Sequence, residues 1–312
     1  MKKVFIDGET GTTGIQVKDR LVNHPGIEII SIDPEKKRDV EEKRRLMKEA
    51  DVTVLCLPDD AAKDSVVLAK EEGCRILDAS SVHRVAEGWV YGLPELDVTQ
   101  REKIKSAQFV SNPGCYPTGA ILLLKPLVEA GLLSASYDYS INAVSGYSGG
   151  GNALIDRYEG DNNAPIFGAY GLSFNHKHLA EMKKWSGLDK APIFVPSVGN
   201  FRQGMLTFLP IQLKDGVTME QLHAKLVEVY ANDTFVTVNG LNVVADNAAP
   251  FLTPHGLEDT NQIELSVLSE PGNKSGILVA KLDNLGKGAS GAAVQNLNIM
   301  LGFDEAIAVN LR

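Results

Sequence analysis

The first two dozen residues restrict the fold more than any other stretch. Lys3 to Asp7 is a short apolar run, it passes directly into Gly8-Glu9-Thr10-Gly11-Thr12-Thr13-Gly14, and a helical stretch from Ile15 to Asn23 follows. Strand, glycine turn and helix in that order open a nucleotide-binding unit. The spacing is GxxGxxG rather than GxGxxG, but the physical requirement is shared: glycines let backbone N–H groups and a helix N-terminus meet a pyrophosphate. Gly8, Thr10, Gly11, Thr12, Thr13 and Gly14 are therefore the first candidate cofactor contacts. The pattern then recurs, with strands expected over Glu28 to Asp33, Asp51 to Leu57 and Arg75 to Asp78, and helices over Val40 to Glu49 and Asp60 to Glu71. This alternation predicts an α/β, Rossmann-like parallel sheet with ligands at the carboxyl ends of its strands. Those ends carry Gly8, Pro58, Ala79-Ser80-Ser81 and Cys115, so one crevice is expected to hold both a nucleotide and a thiol.

The choice of nucleotide stays open on residues alone. Asp33 lies where a Rossmann acid would bind the ribose 2′-OH of NAD. Lys36-Lys37-Arg38 follows at once and would neutralise a 2′-phosphate, as would the hydroxyls of Thr10, Thr12 and Thr13.

Ser111-Asn112-Pro113-Gly114-Cys115-Tyr116-Pro117-Thr118-Gly119 separates an expected strand, Gln108 to Ser111, from an apolar helical run, Ala120 to Ala130. Cys115 thus falls at a strand-to-helix turn, where unpaired N–H groups and partial positive charge favour thiolate over thiol. Two glycines and two prolines around it fix the backbone path and allow close approach of a ligand. Cys56 and Cys74 sit in or beside apolar strand-like runs and are expected to pack. Three cysteines, far apart and without a CxxC pair, disfavour a disulfide scaffold and a zinc site and point to a reducing cytoplasm. The net charge of −9 disfavours nucleic acid and membrane surfaces as partners. No apolar run approaches the ~18 residues of a membrane helix, and the N-terminal run is too short for a signal peptide.

At 312 residues the chain has room for about two domains on a prior of roughly 100 to 200 residues each. The grammar changes near Thr118. Strands are expected over Tyr137 to Ser145, Ile193 to Val198, Met205 to Leu213, Phe235 to Val238, Ile263 to Leu268 and Gly276 to Leu282, with helices over His176 to Ser186 and Thr218 to Tyr230. That reads as an antiparallel sheet with helices, an α+β domain. Gly146 to Gly151 reads as a flexible polar loop, and Asn284 to Asn296 opens a final helix reaching about Leu301. A thiol nucleophile needs a proton partner, and His176 and His178 are the candidates; on a helix, two residues apart, only one would face a site. His-x-His without acidic or cysteine partners is a poor metal site, and none is expected. Arg84 and Arg202, in serine- and glycine-rich surroundings, are candidate forks for phosphate or carboxylate.

Gly8-x-x-Gly11-x-x-Gly14, Asn112 to Thr118, Ser145-Gly146-Tyr147-Ser148-Gly149 and Lys287-Gly288-Ala289-Ser290-Gly291-x-Ala293-Val294-Gln295-Asn296 together resemble the N-acetyl-gamma-glutamyl-phosphate reductase family, in its shorter form. The resemblance spans the chain. It implies a cytoplasmic enzyme of arginine biosynthesis that reduces N-acetyl-L-glutamyl 5-phosphate to the 5-semialdehyde with NADPH through a Cys115 thioester. It also implies a homodimer or homotetramer, with a discontinuous NADP domain, residues 1–117 and 286–312, and a substrate and oligomerisation domain, residues 118–285. On the same basis Cys115 is the nucleophile and the segment from His176 supplies the acid/base. Ser80, Asn284, Lys287, Gly288 and Ala289 join the cofactor set, while Arg84, Asn112, Ser145, Gly146 and Arg202 form the substrate set. The competing readings are a reductase of N-acetyl-aminoadipyl or aspartyl phosphate and a non-catalytic NADP sensor.

Overall fold

Val4, Phe5 and Ile6 are inaccessible to solvent in β1 (Lys2–Asp7), and the elements after it are laid down around that strand. They are α1 (Thr12–Leu21), β2 (Ile27–Ile30), α2 (Val40–Glu49), β3 (Val52–Leu55), α3 (Asp59–Glu72), β4 (Ile76–Asp78), β5 (Val90–Tyr91), α4 (Gln100–Ser106) and β6 (Phe109–Ser111). The six-stranded sheet has the order β2-β1-β3-β4-β6-β5, and all its pairings are parallel. A parallel sheet is covered on both faces, so its strands read as continuous apolar runs. One layer packs Phe5, Leu55 and Ile76 against Leu46 and Met47 of α2 and Val66 and Ala69 of α3. The glycine turn is tight. Gly8 has φ +94°, and a Cβ on Gly14 would lie 2.2 Å from the Gly8 carbonyl oxygen, so α1 starts directly against the end of β1.

This computed structural model describes residues 1–160, 163–243, 251–270, 272 and 274–311. The chain divides into two compact units: Met1–Pro113 with Ala289–Asn310, and Gly114–Gly288 with the last residues. The divisions fall at 113/114 and 288/289, a few residues from the 117/118 and 285/286 junctions suggested by the sequence.

The second unit contains α5 (Cys115–Glu129), β7 (Ser140–Gly146), α6 (Asn152–Glu159), β8 (Phe167–Ala169), α7 (Leu179–Ser186), β9 (Ile193–Gly199), β10 (Met205–Gln212), α8 (Met219–Tyr230), β11 (Val236–Val238), β12 (Ile263–Ser269) and β13 (Ser275–Leu282). Its seven-stranded sheet runs β11-β12-β13-β10-β7-β9-β8. The sheet is mixed rather than antiparallel, because β7 with β9 and β11 with β12 pair in parallel. Long connections separate the members of both pairs, as parallel pairing requires. α5 lies on one face, close enough that a Cβ on Gly119 would stand 2.9 Å from the Ala280 Cβ on β13. Ala280, Ile141, Phe194 and Leu265, which share that face, are at most 1% exposed. The opposite face is mixed: Ile193 is 52% and Phe167 62% exposed, Val195, Val144, Phe208, Ile277 and Leu268 are half-buried, and Asn142, Ser197, Glu264, Ser266 and Lys281 lie among them.

After β13 a π-helical turn, Gly286–Ser290, leads into α9 (Gly291–Leu301), and α9 returns to the first unit. There Asn296 Nδ2 donates to the Gly92 carbonyl at 2.7 Å, Arg75 Nη1 to the Met300 carbonyl at 2.7 Å, and His24 Nε2 meets Asn298 Oδ1 at 3.0 Å. Gly291, Ala292 and Ala293 are buried, the close packing that small residues allow.

Candidate active site

α5 begins at Cys115, five residues before the helical run expected from Ala120. The Gly/Pro content hid the start: Gly114 in extended conformation is the N-cap, and Pro117 occupies the first turn, where no intrahelical N–H is needed. The first closing bonds come from Thr118, whose N–H and Oγ1 both donate to the Gly114 carbonyl, at 3.1 and 2.9 Å. Cys115 thus occupies the first helical position, directly after an N-cap glycine that has no capping side chain of its own. Two contacts fix this corner. Gly114 N–H donates to Glu181 Oε2 at 3.1 Å, and a Cβ on Gly288 would lie 2.8 Å from the Cys115 Cβ, so only glycine lets the π-turn backbone pass beside the thiol residue. The other two thiols differ. Burial pushes Cys56 up to about 12, with Asp78 and Asp7 adding to it, and burial also raises Cys74.

His176 and His178 do not lie on a helix as expected. α7 starts at Leu179 with His178 as its N-cap, and the two rings meet edge to face 4.6 Å apart. Both therefore share one aromatic cluster, with Tyr116 5.9 Å from His178 and Phe194 5.1 Å from His176. The two histidines are distinguished by their partners. His176 Nδ1 accepts the His178 N–H at 3.2 Å, which assigns the proton of a neutral ring to Nε2. His178 is buried with Nε2 3.9 Å from Glu181 Oε1, an ion-pair distance and too long for a hydrogen bond. Beneath them Tyr170 Oη donates to Tyr116 Oη at 3.1 Å, and Tyr116 Oη donates to the Ser197 carbonyl at 3.1 Å. Burial pushes Tyr170 up to about 12 and also raises Tyr116 well above the ordinary phenol value, so both phenols stay protonated. Glu181, Tyr116 and Tyr170 were not singled out from the sequence. For Glu181 the usable signal was a carboxylate three residues after a histidine in a first helical turn.

Other candidates are placed less uniformly. Arg84 is buried and bonded to backbone, Nε to the Asn112 carbonyl at 3.0 Å and Nη2 to the Ala79 carbonyl at 3.4 Å, so it braces the ends of β4 and β6. Asn112 Nδ2 donates to the Ala289 carbonyl at 3.0 Å while its Oδ1 accepts from Asn296 at 3.1 Å. Ser80 Oγ donates to Asp78 at 2.6 Å. Ser145 is buried at the end of β7, with Oγ 3.1 Å from the Gly146 carbonyl. The stretch from Gly146 is packed rather than flexible: Tyr147–Gly150 forms a 3₁₀ turn, and a Cβ on Gly146 would lie 2.5 Å from the Arg202 carbonyl oxygen. Arg202 is exposed and pairs with Glu159, which also accepts from Tyr147 Oη at 3.1 Å. Asn284 donates to Ser148 Oγ at 2.9 Å and accepts from Gly204 N–H at 2.8 Å. Lys287 is fully buried with Nζ 5.0 Å from the centre of the Phe235 ring. Asn284, Lys287 and Gly288 belong to the second unit and Ala289 to the first.

The β1–α1 turn fits a dinucleotide pyrophosphate. A Cβ at Gly8 would lie 2.4 Å from the Cys56 carbonyl oxygen and one at Gly14 2.2 Å from that of Gly8, so only glycines allow this close turn; Gly11 caps α1 with backbone alone, and Thr10, Thr12 and Thr13 stand at the helix start. Asp33 lies three residues beyond the end of β2 and accepts from Glu35 N–H at 2.9 Å, capping the Pro34–Lys36 turn. It serves the turn rather than marking the strand end.

A parallel dinucleotide sheet and a mixed-sheet unit with a thiol at a helix start define an oxidoreductase of the semialdehyde dehydrogenase class. Family models agree: "Semialdehyde dehydrogenase, NAD binding domain" matches residues 3–107, and "Semialdehyde dehydrogenase, dimerisation domain" matches residues 115–284. The fold is similar to aspartate semialdehyde dehydrogenase from Francisella tularensis, with TM-score 0.70 at 15% identity over 96% of this chain and all of that one. It is also similar to the enzyme crystallised with NADP from Candida albicans, with TM-score 0.66 at 15% identity over 96% and 98%. Sequence similarity is far higher to the N-acetyl-gamma-glutamyl-phosphate reductases of Trichormus variabilis, 47% identical over 98% of this chain and 99% of that protein, and of Chelativorans sp., 46% over 96% and 98%. The chain belongs to the N-acetyl-gamma-glutamyl-phosphate reductase family, as its motifs indicated.

Proposed function

We propose that this protein reduces N-acetyl-L-glutamyl 5-phosphate to N-acetyl-L-glutamate 5-semialdehyde, with release of phosphate, in the cytoplasmic synthesis of arginine. The observation that carries the reading is Cys115 at the first position of α5, held by Gly114, Glu181 and Gly288 and joined through Tyr116 to the histidine cluster. The Cys115 thiolate attacks the acyl phosphate, the C–O bond to phosphate breaks, and a thioester remains. NADPH, when bound, supplies the hydride that reduces the thioester carbon. His176, with its proton on Nε2, is the acid/base that protonates the resulting oxyanion and takes the proton back as the hemithioacetal collapses and the thiolate leaves. His178 and Glu181 position that ring and the start of α5. Backbone N–H groups there face the oxyanion. Arg202 is the anion fork for the substrate, with Ser145 and Gly146 shaping its site, while Arg84 and Asn112 brace the strands.

Gly8 to Gly14 hold the cofactor pyrophosphate in a discontinuous domain that α9 completes, with Ser80 and the turn from Asn284 to Ala289 as further contacts. Lys36, Lys37 and Arg38 select NADP through its 2′-phosphate. The working form is a homodimer or homotetramer, because Ile193, Phe167 and the half-buried Val195, Val144 and Phe208 leave apolar side chains on the face of the second sheet away from α5, suited to burial against another copy. Among the described residues no helix is long and apolar enough to cross a membrane. The deciding assay is phosphate-dependent reduction of NADP+ with N-acetylglutamate semialdehyde beside aspartate semialdehyde. A clear preference for the first is expected, and equal or reversed rates would overturn the assignment.

A further inference from the structure

Asp78, the last residue of β4, is fully buried and accepts three hydrogen bonds: Ser80 N–H at 2.9 Å, Ser80 Oγ at 2.6 Å and His83 Nδ1 at 2.6 Å. His83 is further fixed by stacking on Trp89, with centroids 4.1 Å apart and planes within 11°. One edge of the imidazole is therefore held by a carboxylate and one face by an indole. The carboxylate assigns the proton to Nδ1, so Nε2 carries the lone pair in the neutral ring, and no hydrogen bond reaches it among the described residues. The side chain keeps 12% of its surface accessible. Such double anchoring of a histidine that only packs is unnecessary, whereas orienting one free nitrogen requires it.

The place in the sheet indicates what that nitrogen meets. In a doubly wound sheet the pyrophosphate lies on the first glycine turn, and the two halves of a dinucleotide spread to opposite sides of the switch point. Here the switch point is between β1 and β3: β2, which completes the first half, lies beyond β1, whereas β4 lies beyond β3 on the other side. The loop after β4 is also tied to both neighbours, by Ser81 Oγ to Asp59 at 2.7 Å and by Arg84 to the Asn112 carbonyl, so its position is set at three strand ends. We propose that His83 is a cofactor-positioning residue whose Nε2, oriented by Asp78 and Trp89, hydrogen-bonds the nicotinamide-ribose half of the dinucleotide. This rests on the cofactor reading above.

The test uses the native protein and two ligands, NADP+ and 2′-phosphoadenosine 5′-diphosphate, which lacks both the nicotinamide and its ribose. Diethyl pyrocarbonate modification of His83 is read on the tryptic peptide Ile76–Arg84, which holds no other histidine. NADP+ should slow that modification several-fold and 2′-phosphoadenosine 5′-diphosphate should not. Equal protection by both, protection by neither, or a His83 that resists the reagent in the free protein would overturn the proposal. Binding of each ligand is followed in parallel by tryptophan fluorescence, and absence of NADP+ binding would instead bring down the cofactor reading. In His83→Asn, which retains an amide N–H toward Asp78, the Kd for NADP+ should rise about three- to tenfold while that for 2′-phosphoadenosine 5′-diphosphate stays unchanged. An unchanged ratio of the two constants would count against the proposal.

Discussion

Three thiols in one chain meet three different fields. Cys115 stands at the first position of a helix, whereas burial holds the Cys56 thiol at about 12 and raises that of Cys74. Since only thiolate reacts, iodoacetamide at neutral pH should label Cys115 well before either of the others, and peptide mapping checks the order. Cys115→Ser should lose nearly all turnover while still binding NADP+. In the native enzyme, acyl phosphate without NADPH should leave an acyl group on Cys115 by intact mass and peptide mapping, and an adduct on Cys56 would refute the thioester route. The two histidines should separate as well. His176→Asn should lower kcat by about 10²- to 10⁴-fold with the melting temperature retained, the usual range for a missing acid/base. His178→Asn should act chiefly through stability, because its ring is buried beside Glu181. Cys115 was legible because glycine and proline mark a turn whatever surrounds them. The roles of Arg84 and Asn112 were not: a sequence shows how many donors a side chain has but not which carbonyls will engage them.

At the scale of elements, the strands of the first unit could be read because burial on both faces writes continuous apolar runs, and those runs lie within a few residues of β1 to β4. Helix starts were harder. α5 begins inside a glycine- and proline-rich stretch, and α7 begins at Leu179, three residues after the start expected at His176. The fit of α5 on β13 is itself testable. Gly119→Leu would drive a side chain into Ala280, Thr207 and Leu282, and overpacking of this kind costs about 1–3 kcal/mol, to be seen as a lower denaturation midpoint. In the first unit, replacing Lys36, Lys37 and Arg38 by glutamine should weaken NADP+ and leave NAD+ nearly unchanged. A parallel loss of both in binding titrations would remove the 2′-phosphate role.

At the scale of the whole chain, neither the mixed character of the second sheet nor the apolar residues on its face away from α5 were predictable, because both depend on which strands become neighbours. The pairing register separates the faces: Ala280, Ile141, Phe194 and Leu265 meet helices, while Ile193, Phe167 and Phe208 occupy the alternate positions. Asn142, Ser197, Glu264 and Lys281 share that side, so apolar residues cover only part of it. The chain region that holds it, residues 115–284, also matches a dimerisation-domain model. Ile193→Glu combined with Phe208→Glu places carboxylates at two of these positions without touching the helix-facing core. Light scattering after gel filtration should then give the mass of one chain, where the native protein gives at least two, with the far-ultraviolet circular dichroism unchanged. The charges act by like-charge repulsion and by the cost of burying carboxylates, so the effect should diminish when the same positions carry glutamine. An unchanged mass for the glutamate variant would place the interface elsewhere on the second unit, and a native protein already of single-chain mass would remove the oligomer altogether.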